Sequence, residues 1–359
     1  MAMDIIQLAL DNIKKARSAK KLIVFTVAST GKQESDPYMT PLREYDDFCV
    51  MGCVIFNQTL LLELISSIDS LVDMVLVDAE KKVPLLQSAD ICQNSSSVST
   101  IGNFETGNFS KICFANFKAA KVFEYKPNDL SVNAAWMFLS QKLKSFTGKK
   151  ISILGVGNIG SKLALKLVEC GADVHVYSRD YFKTHLITQA LNLIKPVGTI
   201  ASITCHREIL PTAFMSDVLV GATNGVPIIS SEIISSVKKS CLIMDLGKNN
   251  LTESAISFVK ESGLEICRTD VTSSLETFVT ETLSLNDALE NNYGERTVSG
   301  RVLVSGGFFG QSGAIIVDSV RSPTQIFGVA DGFGSLKKEL TESDNENIRF
   351  LSSYFDFEK

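Results

Sequence analysis

Positive charge, histidine and paired cysteines are all in short supply in this chain. Lysine and arginine number 35 against 40 acidic residues, for a net charge of −5. That balance disfavours nonspecific nucleic-acid binding, which rests on a basic surface. Only three histidines are present, His175, His185 and His206. His175 alternates with Val174 and Val176 in a strand-like stretch, which suits a structural role. A mechanism built on a histidine base therefore has few candidates. The eight cysteines form no C-x-x-C, so no zinc-ligand spacing is seen and no metal is expected. Several lie in apolar stretches, where Cys behaves as a small hydrophobe, and a reducing cytoplasm fits them best. Apolar runs are short: the 60–77 region is broken by Glu63, Asp69 and Asp73, so no membrane span is expected. The start, Met1-Ala-Met-Asp4, lacks the basic-then-apolar order of a signal peptide.

One stretch organises the rest. Ile151-Ser-Ile-Leu-Gly155-Val-Gly157-Asn-Ile-Gly160 joins a strand-like run to three glycines spaced G-x-G-x-x-G. Ile159, Leu163, Ala164, Leu167 and Val168 then recur at helical spacing and stop at Gly171, and a second strand-like run covers 173–177. This is the strand–turn–helix–strand setting in which the motif binds a dinucleotide. Gly155 suits the tight turn, Gly157 the close approach of a pyrophosphate, and Gly160 the packing of helix on strand. Asn158 and Ile159 supply backbone N–H groups at the helix start, where the dipole favours phosphate.

At 359 residues two domains are the natural expectation. A helix over 4–17, a strand over 22–27, a polar loop over 29–47, a strand over 48–56, a helix near 58–67 and a strand over 72–77 describe a small α/β domain. The last strand ends Asp78-Ala-Glu80-Lys81-Lys82, a position where α/β sheets bind ligands. Strand-like pieces follow at 111–115 and 121–125. Pro127, Asn128 and Asp129 mark a break, and Asp129 or Ser131 can cap a helix that leads to the glycine motif. From there, strands at 151–154, 173–177, 199–204, 217–221, 241–246 and 264–268 alternate with helices, the six strands of a doubly wound parallel sheet. The fold class is thus α/β, with a substrate domain over 1–130 and a Rossmann dinucleotide-binding domain over 131–299. Residues 300–359 form a C-terminal segment returning to the first domain or serving an interface. The glycines at 306–313 read best as turns between short strands. Phe350, Leu351, Tyr354, Phe355 and Phe357 are left to pack on the chain's own body or on a second subunit.

Strand ends refine the cofactor. The second strand of the sheet ends Tyr177-Ser178-Arg179-Asp180. Ser178 and Arg179 stand where a 2′-phosphate would sit, with Lys183 to assist, so NADP is favoured. Asp180 could instead serve a ribose hydroxyl, which keeps NAD open. The fourth strand ends Gly221-Ala-Thr223-Asn224-Gly225, where Thr223 and Asn224 could reach ribose or carboxamide. The fifth ends Asp245-Leu-Gly247-Lys248.

An α/β domain before the cofactor domain, Asn128-Asp129 before the linking helix, Gly155-x-Gly157-x-x-Gly160, Ser178-Arg179 and Ala222-Thr223-Asn224-Gly225 together resemble the amino-acid-dehydrogenase-like superfamily. Shikimate dehydrogenase, methylenetetrahydrofolate dehydrogenase, glutamyl-tRNA reductase and alanine dehydrogenase belong to that group. The likeness covers about residues 70–270. By resemblance to shikimate dehydrogenases, Asp129 is the catalytic carboxylate and Lys81 or Lys82 its lysine partner. The Thr between Asn and Asp in that family's element is absent here, and so is its Val-Thr-x-Pro-x-Lys setting. Lys248, Lys32 and Tyr38 are the fallback proton carriers.

The expected activity is an NAD(P)-dependent dehydrogenase or reductase. It would move a hydride to or from a small polar keto, hydroxy, amino or imino compound, and a homo-oligomer such as a dimer is expected. Two alternatives keep the dinucleotide: a binding protein whose cofactor is structural or regulatory, and a cyclodeaminase or lyase without net redox turnover.

Overall fold

Near-continuous apolar runs such as Leu22–Ala28 and Phe48–Val54 suit strands buried on both faces, and they become the middle of a sheet. The computed structural model describes residues 4–29, 36–56, 58–80 and 109–356. The chain divides into two units, Met1–Leu275 and Glu276–Lys359.

The first unit holds two sheets. The first contains β1 (Leu22–Ala28), β2 (Tyr38–Glu44), β3 (Phe48–Val54), β4 (Met74–Asp78) and β5 (Lys121–Tyr125), in the order β2-β3-β1-β4-β5. All neighbours are parallel except β2, which runs antiparallel to β3 at one edge. Helices α1 (Ile5–Arg17), α2 (Gln58–Ile68) and α3 (Phe109–Asn116) contribute to its core, through Ile13, Leu61, Leu64, Ile68 and Cys113 among others. Each large side chain fully buried there contributes about 1.5–3 kcal/mol.

Two local expectations are corrected here. Part of the loop expected over 29–47 is the edge strand β2. An edge strand tolerates polar residues and even Pro41, because part of its ladder faces away from any partner. Its register against β3 shifts between Thr40 and Arg43. The strand expected at 111–115 is instead helix α3, whose buried Phe109 and Cys113 lie one turn apart. A short apolar run does not distinguish the two periods.

Helix α4 (Pro127–Leu143) leads to the second sheet. It begins earlier than expected, with Pro127 at its first turn, where the missing N–H costs nothing. Its N-cap is Lys126, without a side-chain cap, so neither Asp129 nor Ser131 caps it. Val132, Ala135 and Leu139 are buried against α5 (Asn158–Glu169), as the spacing predicts.

The second sheet contains β6 (Lys150–Leu154), β7 (Asp173–Tyr177), β8 (Ile203–Cys205), β9 (Val218–Gly221), β10 (Leu242–Asp245) and β11 (Glu265–Arg268). All pairings are parallel, in the order β11-β10-β9-β6-β7-β8. This is a doubly wound Rossmann sheet, whose direction of winding reverses between β6 and β9. Helix α5 covers one face with α4. On the other, α8 (Ser231–Ser236) and α9 (Glu253–Ser262) bury Ile233, Ile234, Ala255 and Val259 with Leu219 and Ile243. Helices α6 (Tyr181–Ile194) and α7 (Ile209–Ala213) complete the alternation.

Helix α10 (Thr272–Asp287) contains the boundary of the two units and runs into a π-helical turn, Ala288–Asn292. The second unit has β12 (Gly294–Val298), β13 (Arg301–Ser305), β14 (Ile315–Val317), β15 (Ile326–Val329) and α11 (Glu342–Phe355). Ser299 and Gly300, both at positive φ, close the β12–β13 hairpin. That hairpin spans position 300, the expected start of the C-terminal segment, because pairing with β13 draws 294–298 into the same sheet. The glycines at 306–313 lie between β13 and β14. Thr341 and Asp344 form a capping box at the start of α11. Leu351 is buried in this unit's own core, with Phe350 and Phe355 packed beside it, and Phe357 lies outside the described residues.

Candidate dinucleotide-binding and active site

The three glycines of the β6–α5 turn differ in what surrounds them. Gly155 has φ +114°, and a Cβ there would lie 2.5 Å from the Ala222 carbonyl oxygen. Only glycine suits both the conformation and the contact. At Gly160 a Cβ would lie 2.0 Å from the Gly155 carbonyl oxygen, so α5 rests directly on the turn. At Gly157, the N-cap of α5, a Cβ would meet nothing within 4 Å. Open space therefore faces the helix N-terminus, and its backbone N–H groups have no side-chain cap. The residues present fit a dinucleotide pyrophosphate. Asn158 is exposed and Ile159 packs into the core beneath.

At the end of β7, Ser178 is half-buried and Arg179 exposed, with no hydrogen bond or ion pair of Arg179 among the described residues. Asp180 caps α6, its carboxylate accepting the Lys183 backbone N–H at 3.0 Å. That oxygen serves the helix. Lys183 itself is exposed in the first turn of α6.

The other half of the sheet carries a buried polar network that spacing alone did not reveal. Asn250 is fully buried. Its Oδ1 accepts the Thr223 backbone N–H at 2.8 Å and also the Thr223 hydroxyl, and its Nδ2 donates to Asp245 at 2.6 Å. Asp245 also accepts the Asn249 N–H at 3.0 Å and pairs with Arg268 at 3.4 Å. Thr223 is thus committed to holding the β9 loop to β10, while Asn224 and Lys248 are exposed. Gly221 and Gly247 sit so close to Asn250 and Thr223 that a Cβ on either would collide. Beside this network a cleft of about 980 Å³, lined by Gly225, Asn249, Thr252, Ser254 and Arg268 among others, opens at the carboxyl ends of β10 and β11.

Asp129 meets a lysine, Lys162 of α5, at 2.5 Å. Lys81 and Lys82, its expected partners, lie outside the described residues, as does Lys32. Lys162 Nζ is also 3.9 Å from Glu80, whose Oε1 accepts the Asn158 side-chain amide at 3.4 Å. Lys126 stands 3.8 Å from Asp129. The end of β4, the start of α4 and the first turns of α5 thus converge on one charged cluster, Glu80–Lys162–Asp129. Lys162 escaped notice because a lysine inside a Rossmann helix looks like surface charge. Tyr38 opens β2 with its side chain partly covered, and that partial burial pushes its hydroxyl above its ordinary range.

The histidines take structural positions. His175 Nδ1 and His206 Nε2 are 2.7 Å apart, so one donates and the other accepts. Burial, then Lys150, then His206 push His175 down from 6.5 to about 4. Burial and Lys150 lower His206 as well. An unfolded chain protonates His175 as pH falls below about 6.5, whereas the folded one resists until about 4. Stability should therefore drop as pH falls through that window and level off below it. Relative to His175→Gln, the wild type should lose about 1–2 kcal/mol across the window in urea titrations, allowing for water that reaches the rings. Equal losses in the two proteins would show that the pair does not titrate this way.

Residues 150–284 match the profile of the NAD binding domain of 6-phosphogluconate dehydrogenase. With the sheet order and the glycine geometry, this defines a Rossmann-fold domain of the NAD(P)-binding type, related to those of dehydrogenases and reductases. No curated protein sequence matches the chain. Among solved structures it is similar to glutamyl-tRNA reductase from Methanopyrus kandleri, with 20% identity and TM-score 0.34, covering 45% of this chain and 41% of that one. The chain thus spans less than half of that reductase. It is also similar to shikimate 5-dehydrogenase from Listeria monocytogenes, with 10% identity and TM-score 0.38, covering 70% and 87%. Ornithine carbamoyltransferase from Pyrococcus furiosus, with 10% identity and TM-score 0.39, covers 76% and 90%. Among the described residues no helix is long and apolar enough to cross a membrane.

Proposed function

We propose that this protein is an NAD(P)-dependent oxidoreductase, with NADP preferred, acting on a small polar keto, hydroxy, amino or imino compound. The carrying observation is the open space at Gly157 between two glycines that tolerate no side chain. The turn and the α5 N–H groups would hold the pyrophosphate. Ser178, Arg179 and Lys183 would hold the 2′-phosphate. When bound, the nicotinamide supplies or accepts a hydride. Hydride addition to C=O or C=N leaves an oxygen or nitrogen that must take a proton. The Lys162 ammonium can carry one, and the Asp129 carboxylate holds that ammonium in place.

The test is calorimetry with NADPH and NADH. The wild type should bind NADPH more tightly. Arg179→Ala should weaken NADPH about 10–100-fold, since a charge-assisted contact contributes about 1.5–3 kcal/mol, and leave NADH nearly unchanged. Equal or tighter binding of NADH by the wild type would overturn the NADP preference.

A further inference from the structure

The carboxyl ends of β7 and β8 carry a second guanidinium, Arg207, that no family motif and no spacing singled out. The parallel register sets Val176 against Cys205, and the His206 N–H donates to the Val176 carbonyl at 3.0 Å. Continuing that register brings Arg207 alongside Ser178, on a neighbouring strand about 4.8 Å away. Its guanidinium carbon lies 4.0 Å from the centroid of the Tyr181 ring. Tyr181 in turn stacks on His185 at 5.9 Å, and His185 Nδ1 is 3.4 Å from the Cys205 sulfur. The three side chains form a column anchored on β8.

A guanidinium set over an aromatic ring keeps its N–H groups available for other acceptors. Among the described residues none of those N–H groups donates a hydrogen bond to a protein acceptor, and neither Asp180 nor Glu208 forms an ion pair with Arg207. An ordered, unneutralised fork therefore stands beside Ser178-Arg179. Arg179 and Lys183 follow β7 and Arg207 follows β8, and among the described residues none of the three forms an ion pair. An anion with several acceptor oxygens complements such a group.

We infer that Arg207, held over the Tyr181 ring, is a further ligand of the 2′-phosphate beside Ser178, Arg179 and Lys183, and sets the preference of this protein for a 2′-phosphorylated adenosine. The inference rests on the NADP reading and adds to it a residue from a different strand and a mechanism of ordering. Tyr181 lowers the entropic cost of fixing a long flexible side chain, so the contact is prepared before the ligand arrives.

The experiment uses the full chain with 2′,5′-ADP, 5′-AMP, NADPH and NADH as titrants in calorimetry. Arg207→Ala should weaken 2′,5′-ADP and NADPH about 10-fold and change 5′-AMP and NADH less than about twofold. Tyr181→Phe keeps the ring and should behave like the wild type. Tyr181→Ala removes the platform and should weaken 2′,5′-ADP by about threefold, on the scale of an exposed cation–π contact. A wild type that prefers NADPH, with Arg207→Ala keeping that preference in full, overturns the inference alone. An equal loss for NADH and NADPH in Arg207→Ala also overturns it, since the residue would then serve adenine or the fold. A wild type with no preference for NADPH removes the NADP reading and the inference together.

Discussion

Gly157→Val is expected to fold like the wild type and to lose NADPH and NADH binding alike by at least about 100-fold. Gly157 has φ −88° and ψ −162°, which valine adopts without strain. Its Cβ would enter open space, so nothing in the fold resists it. The same space is the approach to the α5 N–H groups, and the loss of even two charge-assisted hydrogen bonds there amounts to about 3 kcal/mol or more. Gly160→Val is the control with the opposite outcome. Its Cβ would sit 2.0 Å from a backbone oxygen, and α5 would have to leave the turn. A loss of about 3 kcal/mol or more in stability is expected, at the upper end for overpacked sites. Thermal unfolding followed by circular dichroism, with calorimetry on whatever folds, separates the two. Tight dinucleotide binding by folded Gly157→Val would place the ligand elsewhere.

The second large effect is expected at Asp129. Asp129→Asn should leave thermal stability nearly unchanged, because a part-exposed ion pair contributes only about 0–1 kcal/mol. It should reduce turnover by about 10²–10⁴-fold if the Lys162–Asp129 pair moves the proton. The assay follows reduced nicotinamide against a panel of small hydroxy, keto and amino acids. Lys162→Arg, which keeps the charge but resists giving up a proton, should be nearly as impaired as Asp129→Asn. Normal turnover in both variants would confine the pair to joining α4 with α5.

Much of the cofactor half was legible because its signals are local. Three glycines at fixed spacing carry three separate steric demands, and each is met within the turn itself or on the adjacent strand end. Alternating apolar runs of five and helical stripes of twelve or more show their period within one element. The linking helix was legible for the same reason, through Val132, Ala135 and Leu139. Edges and short runs were less so. β2 looks like a loop because an edge strand need not be apolar, and α3 looks like a strand because eight residues hold barely two turns.

The charged cluster and the buried network belong to a different class of fact. Glu80, Asp129 and Lys162 come from three elements far apart in sequence, and each by itself is an ordinary surface charge. Asn250 reads as a turn residue until Gly221 and Gly247 are seen to make room for it. The amino-acid sequence alone determined a Rossmann domain with a phosphate-binding turn, since periodicity and glycine spacing act over a few residues. Only the tertiary structure decided which carboxylate meets which lysine, and which arginine sits over a tyrosine ring. Those pairings depend on helix packing and strand register, where a shift of one residue would change every partner.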